Sequence, residues 1–124
     1  MFKKKEAANF DKIDTIIGKG TAFHGNIKAE GTLRVDGKIE GEIESQGDIL
    51  IGESGVVIGG IKARNILVAG IIKGDVVISG RIEIASSGKL EGDINTSSLI
   101  IDEGALFQGS CQMVKASVQE KRNT

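Results

Sequence analysis

Apolar and polar residues alternate along this chain in short runs that glycine interrupts at nearly regular intervals. The unit is clearest at Ile39-Glu40-Gly41-Glu42-Ile43: apolar, polar, glycine, polar, apolar. It recurs with drift as Phe23-His24-Gly25-Asn26-Ile27, Val57-Ile58-Gly59-Gly60-Ile61, Ile72-Lys73-Gly74-Asp75-Val76, Leu90-Glu91-Gly92-Asp93-Ile94 and Phe107-Gln108-Gly109-Ser110-Cys111. The central glycines are separated by 16, 18, 15, 18 and 17 residues. Self-similarity at so short a period points to a solenoid.

Each copy follows a second alternating run: Leu33-Arg34-Val35, Ile49-Leu50-Ile51, Ile66-Leu67-Val68, Ile82-Glu83-Ile84 and Leu99-Ile100-Ile101, with a vaguer Ile16-Ile17 at the start. Period-two alternation bounded by Gly, Asp, Ser or Asn predicts strands with one buried face. A period near 17 residues, at roughly 3.3 Å per residue, gives a perimeter of about 55 Å, enough for three short strands and three corners. The expected fold is all-β: a single-stranded triangular β-helix of about six coils. Left-handed β-helices are usually built on a strict hexapeptide with coils of even length. The variable coil length favours a right-handed winding.

Stacked coils turn equivalent residues into columns. One expected inward column is Phe23, Ile39, Val57, Ile72, Leu90 and Phe107; a second is Ile27, Ile43, Ile61, Val76, Ile94 and Cys111. The glycines between them mark a bend or a close backbone approach, and those at 20, 37, 55, 70, 88 and 104 fall where the wall should turn a corner. Between the inward columns stand polar ones. Glu40, Lys73 and Glu91 share one; Glu42, Asp75 and Asp93 share another that is mostly acidic. The acidic column reads either as a solvated wall or as a strip facing a partner.

Composition narrows the function. The chain has no Trp, Tyr or Pro and four Phe, so stacked aliphatic residues must replace an aromatic-centred core. A formal charge of −1 speaks against nucleic acid as a general partner. One cysteine, Cys111, leaves no intramolecular disulfide, and its column makes it a small buried apolar residue. There is no run of about 20 apolar residues and no secretory h-region, so a cytoplasmic location is expected. His24, the single histidine, sits in an outward column without a second histidine or thiol in register. It reads as a surface residue, the alternative being the catalytic histidine of a β-helical acyltransferase. Asp36, Glu53 and Asp102 lie at corners, where acidic residues are ordinary. No catalytic, cofactor or metal site is expected, and the phosphate-binding glycine patterns are absent.

The two ends of the stack carry the functional expectation. Interior coils bond to neighbours on both sides, whereas the first and last each keep one open edge unless something caps it. The core phenylalanines Phe23 and Phe107 belong to these two coils. End-to-end self-assembly is therefore expected, through Phe107, Leu106, Ile101, Phe23 and Ile17. Symmetry decides polarity: like ends meeting give a non-polar filament, head-to-tail joining a polar one.

Residues 1–14 and 114–124 depart from the repeat and read as a flexible arm and a disordered tail flanking a β-helix at 15–113. Met1 and Phe2 precede Lys3, Lys4 and Lys5. That pairing of apolar and cationic residues fits an anionic membrane surface, and equally a solubilising leader.

The six repeats in register, the leader beginning Met1-Phe2-Lys3 and the unpatterned tail together resemble the bactofilin family. The resemblance implies a right-handed β-helical core and a bacterial cytoskeletal role. It also implies nucleotide-independent assembly through the terminal coils into non-polar filaments. Further implications are attachment of Met1–Lys5 to the inner face of the cytoplasmic membrane and recruitment of cell-wall or cell-shape proteins. The tail holds no proline, a departure from the family pattern that puts partners bound through a proline-rich tail in doubt. A monomeric β-helical binding scaffold and the acyltransferase-like enzyme are the competing classes.

Overall fold

The computed structural model describes residues 13–113, and within them every regular element is a β-strand. The chain winds through six coils. The first contains β1 (Ile13–Ile17), β2 (Ala22–His24) and β3 (Ile27–Ala29); the second β4 (Thr32–Val35), β5 (Lys38–Glu40) and β6 (Ile43–Ser45). The third contains β7 (Asp48–Ile51), β8 (Val56–Ile58) and β9 (Ile61–Ala63). In the fourth, β10 (Asn65–Val68) and β11 (Ile71–Lys73) lead into the long β12 (Val76–Ile84), which turns a corner into the fifth. β13 (Lys89–Glu91) follows, and β14 (Ile94–Ile101) likewise bridges into the sixth coil, completed by β15 (Leu106–Gln108) and β16 (Cys111–Met113).

All pairing is parallel and joins each coil to the next, making three walls. The first wall is β1, β4, β7, β10 and the second halves of β12 and β14. The second is β2, β5, β8, β11, β13 and β15. The third is β3, β6, β9, the first halves of β12 and β14, and β16. The expected columns align residue for residue: Phe23 pairs with Ile39 and Leu90 with Phe107, while Ile27 pairs with Ile43 and Ile94 with Cys111. The first strand begins at Ile13, two residues inside the segment expected to be an arm. Asp14 Oδ2 there accepts a hydrogen bond from the Thr32 amide at 3.1 Å.

The uneven coil length has a simple origin. A two-residue Gly-X corner between the second and third walls is constant, and so, from the second coil on, are wall strands of four, three and three residues; β1 has five, with an irregularity between Ile13 and Thr15. Variation is confined to the other two corners. The corner after the first wall has two residues (Asp36-Gly37, Ala69-Gly70) or four (Gly52–Gly55, Ala85–Gly88), and the corner after the third wall has one or two. In the longer corners Ser54 Oγ and Ser87 Oγ each donate, at 2.8 Å, to a backbone carbonyl of the preceding coil, at Asp36 and Ala69. From the second coil on, the first position of the Gly-X corner has no room for anything larger than glycine. Gly41, Gly59, Gly74, Gly92 and Gly109 have φ of 139–152°, and a Cβ on any of them would collide with the carbonyl oxygen of the equivalent glycine one coil earlier.

The core is the inside of this prism. Leu33, Val35, Ile39 and Ile43 in the second coil are 0–1% exposed, and the next three coils repeat the arrangement. Two inward positions are polar. Ser45 Oγ donates to Gly31 O at 2.8 Å and accepts from the Gly47 amide at 3.0 Å; Thr96 Oγ1 donates to Gly80 O at 2.9 Å. These hydroxyls hold the corner after the third wall, so burying them leaves no donor unpaired.

Candidate assembly interface

The same columns behave differently at the two ends. Among the described residues all eighteen buried apolar residues lie between Leu33 and Ile94, in coils two to five. Their equivalents in the first coil, Ile17, Phe23 and Ile27, and in the sixth, Leu99, Phe107 and Cys111, are only partly buried, and Ile101 is 45% exposed. Inward-pointing side chains are thus open along the solenoid axis. The strand edges are open too: among the described residues β1, β2 and β3 pair only towards the second coil, and β15 and β16 only towards the fifth. Each end therefore combines apolar side chains with unpaired backbone donors and acceptors.

Ile17 and Phe23 occupy the first end, Ile101 and Phe107 the second, as members of inward columns. Leu106 differs. It shares the outward column of Lys38 and Lys89 and sits 56% exposed on the rim of the last coil. The sequence reading missed Leu99 and Met113, the latter 48% exposed beside Cys111 with its Sδ 3.8 Å from the Cys111 Sγ. Cys111 was expected to be buried; it points inward but is only partly buried, and among the described residues no further coil covers it. Partial burial still pushes its thiol pKa up from the ordinary value, which disfavours the reactive thiolate. Met1, Phe2, Lys3, Lys4 and Lys5 lie outside the described residues.

His24 is outward, with Nε2 2.8 Å from Glu40 Oε1, and Lys38 Nζ approaches the other Glu40 oxygen at 3.3 Å. This is a solvated ion cluster on the second wall. Among the described residues no three His, Cys, Asp or Glu side chains are grouped to hold a metal ion. The acidic column turns out to have an internal job. Asn26 Oδ1 accepts from the Glu42 amide at 3.1 Å, Asp75 Oδ1 from the Asp93 amide at 3.4 Å, and Asp93 Oδ1 from Ser110 Oγ at 2.8 Å. Side chains at the X of the Gly-X corner thus satisfy corner donors in the following coil.

Comparison with known proteins bears on what these ends do. Residues 15–112 match the family model described as "Bactofilin: Polymer-forming cytoskeletal". The chain belongs to the bactofilin family. The matched segment opens within β1 and closes within β16, so the family likeness includes both end coils. Three bactofilins of Myxococcus xanthus (strain DK1622) are similar. BacN is 43% identical over 79% of this chain and 87% of its own length; BacO is 30% identical over 81% and 79%. BacP is 29% identical over 91% of this chain, which spans only 48% of BacP. Among solved structures, a Thermus thermophilus bactofilin determined as double helical filaments superposes with a TM-score of 0.68 at 22% identity, covering 79% of this chain and 99% of that one. That likeness establishes the parallel β-solenoid fold for this bactofilin.

Proposed function

We propose that this bactofilin is a structural subunit that joins copies of itself end to end through its terminal coils, without nucleotide, into non-polar filaments. On this reading the filaments lie against the inner face of the cytoplasmic membrane and recruit cell-wall or cell-shape proteins. The observation that carries it is the burial contrast: inward apolar residues are closed in coils two to five and open in coils one and six, beside unpaired strand edges. Joining two ends removes both sets of apolar side chains from water and pairs both sets of backbone groups in one step. Two like ends meeting across a twofold axis give a filament without direction. No nucleotide enters because the chain carries no phosphate-binding glycine loop and the joint needs only burial and backbone pairing.

Membrane attachment rests on Met1-Phe2-Lys3-Lys4-Lys5. Each lysine near an anionic surface contributes on the order of 1 kcal/mol, too little for one arm alone. A filament presents many arms, and effective concentration converts weak single contacts into firm attachment.

Phe107→Arg places a charge in the joint. Negative-stain microscopy and sedimentation without nucleotide should give long filaments for the parent chain and short species for the variant. A parent chain that sediments as a 13 kDa monomer, or a variant that still forms long polymer, overturns the reading. Deleting residues 2–5 should release filaments from anionic vesicles in flotation without shortening them. Unchanged flotation removes the membrane part.

A further inference from the structure

The outward faces of the three walls are not equivalent. On the first wall one central column runs Ile16, Arg34, Leu50, Leu67, Glu83, Ile100 from the first coil to the sixth. Its ends are exposed apolar residues, Ile16 at 59% and Ile100 at 38%. Its middle is a leucine pair, and between ends and middle stand one cation and one anion. Reversing the column exchanges Ile with Ile, Leu with Leu, and Arg with Glu.

That pattern is self-complementary under one symmetry operation. A twofold axis lying along the strands, between coils three and four, sets two first walls face to face with their solenoid axes antiparallel. Leu50 then meets Leu67 of the second copy, Ile16 meets Ile100, and Arg34, whose Nε donates to Asp36 Oδ2 at 2.7 Å in its own copy, meets Glu83 with its remaining N–H groups. The flanking corner agrees. Lys19 and Glu103 hold equivalent corner positions in the first and sixth coils, each before a positive-φ glycine (Gly20, Gly104), so they too come opposite each other. The alternative parallel pairing sets Arg34 against Arg34 and Glu83 against Glu83, which is repulsive.

The other walls lack this match. Antiparallel pairing of the second wall would oppose Lys38 to Lys89 and Glu40 to Glu91. The outward column of the third wall, Lys28, Glu44, Lys62, Val77, Asn95, Gln112, offers no reciprocal pair.

We propose that the first wall is a lateral docking surface for a second copy of this chain, joining a subunit of one filament to a subunit of another with their solenoid axes antiparallel, through Arg34–Glu83 and Leu50–Leu67. The proposal rests on end-to-end assembly. A face of six coils about 4.8 Å apart and four residues wide covers roughly 400 Å², about half of what each partner buries in a stable complex. A single pair of subunits is therefore too weak to persist, and pairing appears only where a filament repeats the face many times.

Charge exchange tests it. Arg34→Glu and Glu83→Arg each place like charges opposite each other twice per pair, and the double variant restores opposite charges with the signs reversed. By negative-stain microscopy, parent filaments should be paired strands. Each single variant should form single strands of normal length, with the paired fraction down about tenfold or more, and the double variant should pair again. The double variant also answers for folding, because it carries both substitutions. Parent filaments that are single, single variants that still pair, or a double variant that forms filaments yet stays single each overturn lateral pairing and leave end-to-end joining intact. An absence of filaments in the parent chain overturns both.

Discussion

Coils two to five and coils one and six are written in the same residue types, yet they are in different physical states. Ile72 and Phe107 stand in one column, one fully buried and the other partly open, and the difference is only whether a coil lies on each side. In a solenoid, burial comes from the neighbour rather than from the residue itself. Among the described residues the end coils are interior coils lacking a neighbour on one side, which is why association is the chemistry this fold offers most directly.

The largest break in that comparison should come at the Gly-X corner. Gly59 has φ 141°, and a Cβ there would run into the Gly41 carbonyl; Gly25 has φ 132° but meets only the Phe23 ring at 3.6 Å, because among the described residues no coil precedes it. Gly59→Ala combines backbone strain with a backbone collision and should cost about 4 kcal/mol or more, enough to abolish a cooperative melt. Gly25→Ala carries the strain alone, about 1–3 kcal/mol. Thermal melts by circular dichroism decide it, and equal losses would mean that the corner is not held by stacking.

A second comparison separates folding from assembly within one column. Ile72→Ala removes a closed side chain and should cost about 2–5 kcal/mol while leaving the end faces untouched, so filaments still form at low temperature. Phe107→Ala should cost less in unfolding, since its ring is only partly buried, yet shorten the filaments severely. Denaturant titration at a concentration too low for polymer, paired with sedimentation, gives both numbers. If both variants lose stability and polymer in the same proportion, the end coils have no separate role.

Much of this was legible in the sequence because a β-solenoid writes its contacts locally. The residue above Ile39 is Val57, about one period away, so counting from glycine to glycine reproduces the columns without knowledge of the tertiary structure. Counting also places Phe23 and Phe107 in the two end coils, where the structure has them partly buried. What escaped notice lacks that periodicity. Ser45 and Thr96 are polar side chains in inward positions, legible only once the corner carbonyls they serve are placed. Asp48, 3% exposed between Arg64 and Asn65, is another such corner group. The acidic column read first as a solvated wall, with a partner strip as the alternative, because sequence does not say where the amide of the next coil points. The self-complementary first wall required the exact alignment of Arg34 with Leu50 and of Leu67 with Glu83 before its reversal symmetry could be recognised.

The smallest predicted effect concerns that acidic column. Asp93 Oδ1 accepts from Ser110 Oγ at 2.8 Å and from the Ser110 amide at 3.4 Å, at an exposed corner of the last coil. Asp93→Ala removes both and should cost about 0.5–1.5 kcal/mol, felt locally because the sixth coil has a neighbour on one side only. His24→Ala removes the 2.8 Å contact to Glu40 Oε1 from a side chain that is 70% exposed and should stay within about 0.5 kcal/mol of the parent. Amide exchange distinguishes the two: Ser110 should lose protection in Asp93→Ala and keep it in His24→Ala. The lost protection should spread to Cys111 and Met113, loosening the last strand beside Phe107 and weakening filament joining more than the stability change alone implies. Were Ser110 to remain equally protected without the Asp93 carboxylate, the column would have no structural duty at that corner. Its negative charge would then face outward for a partner.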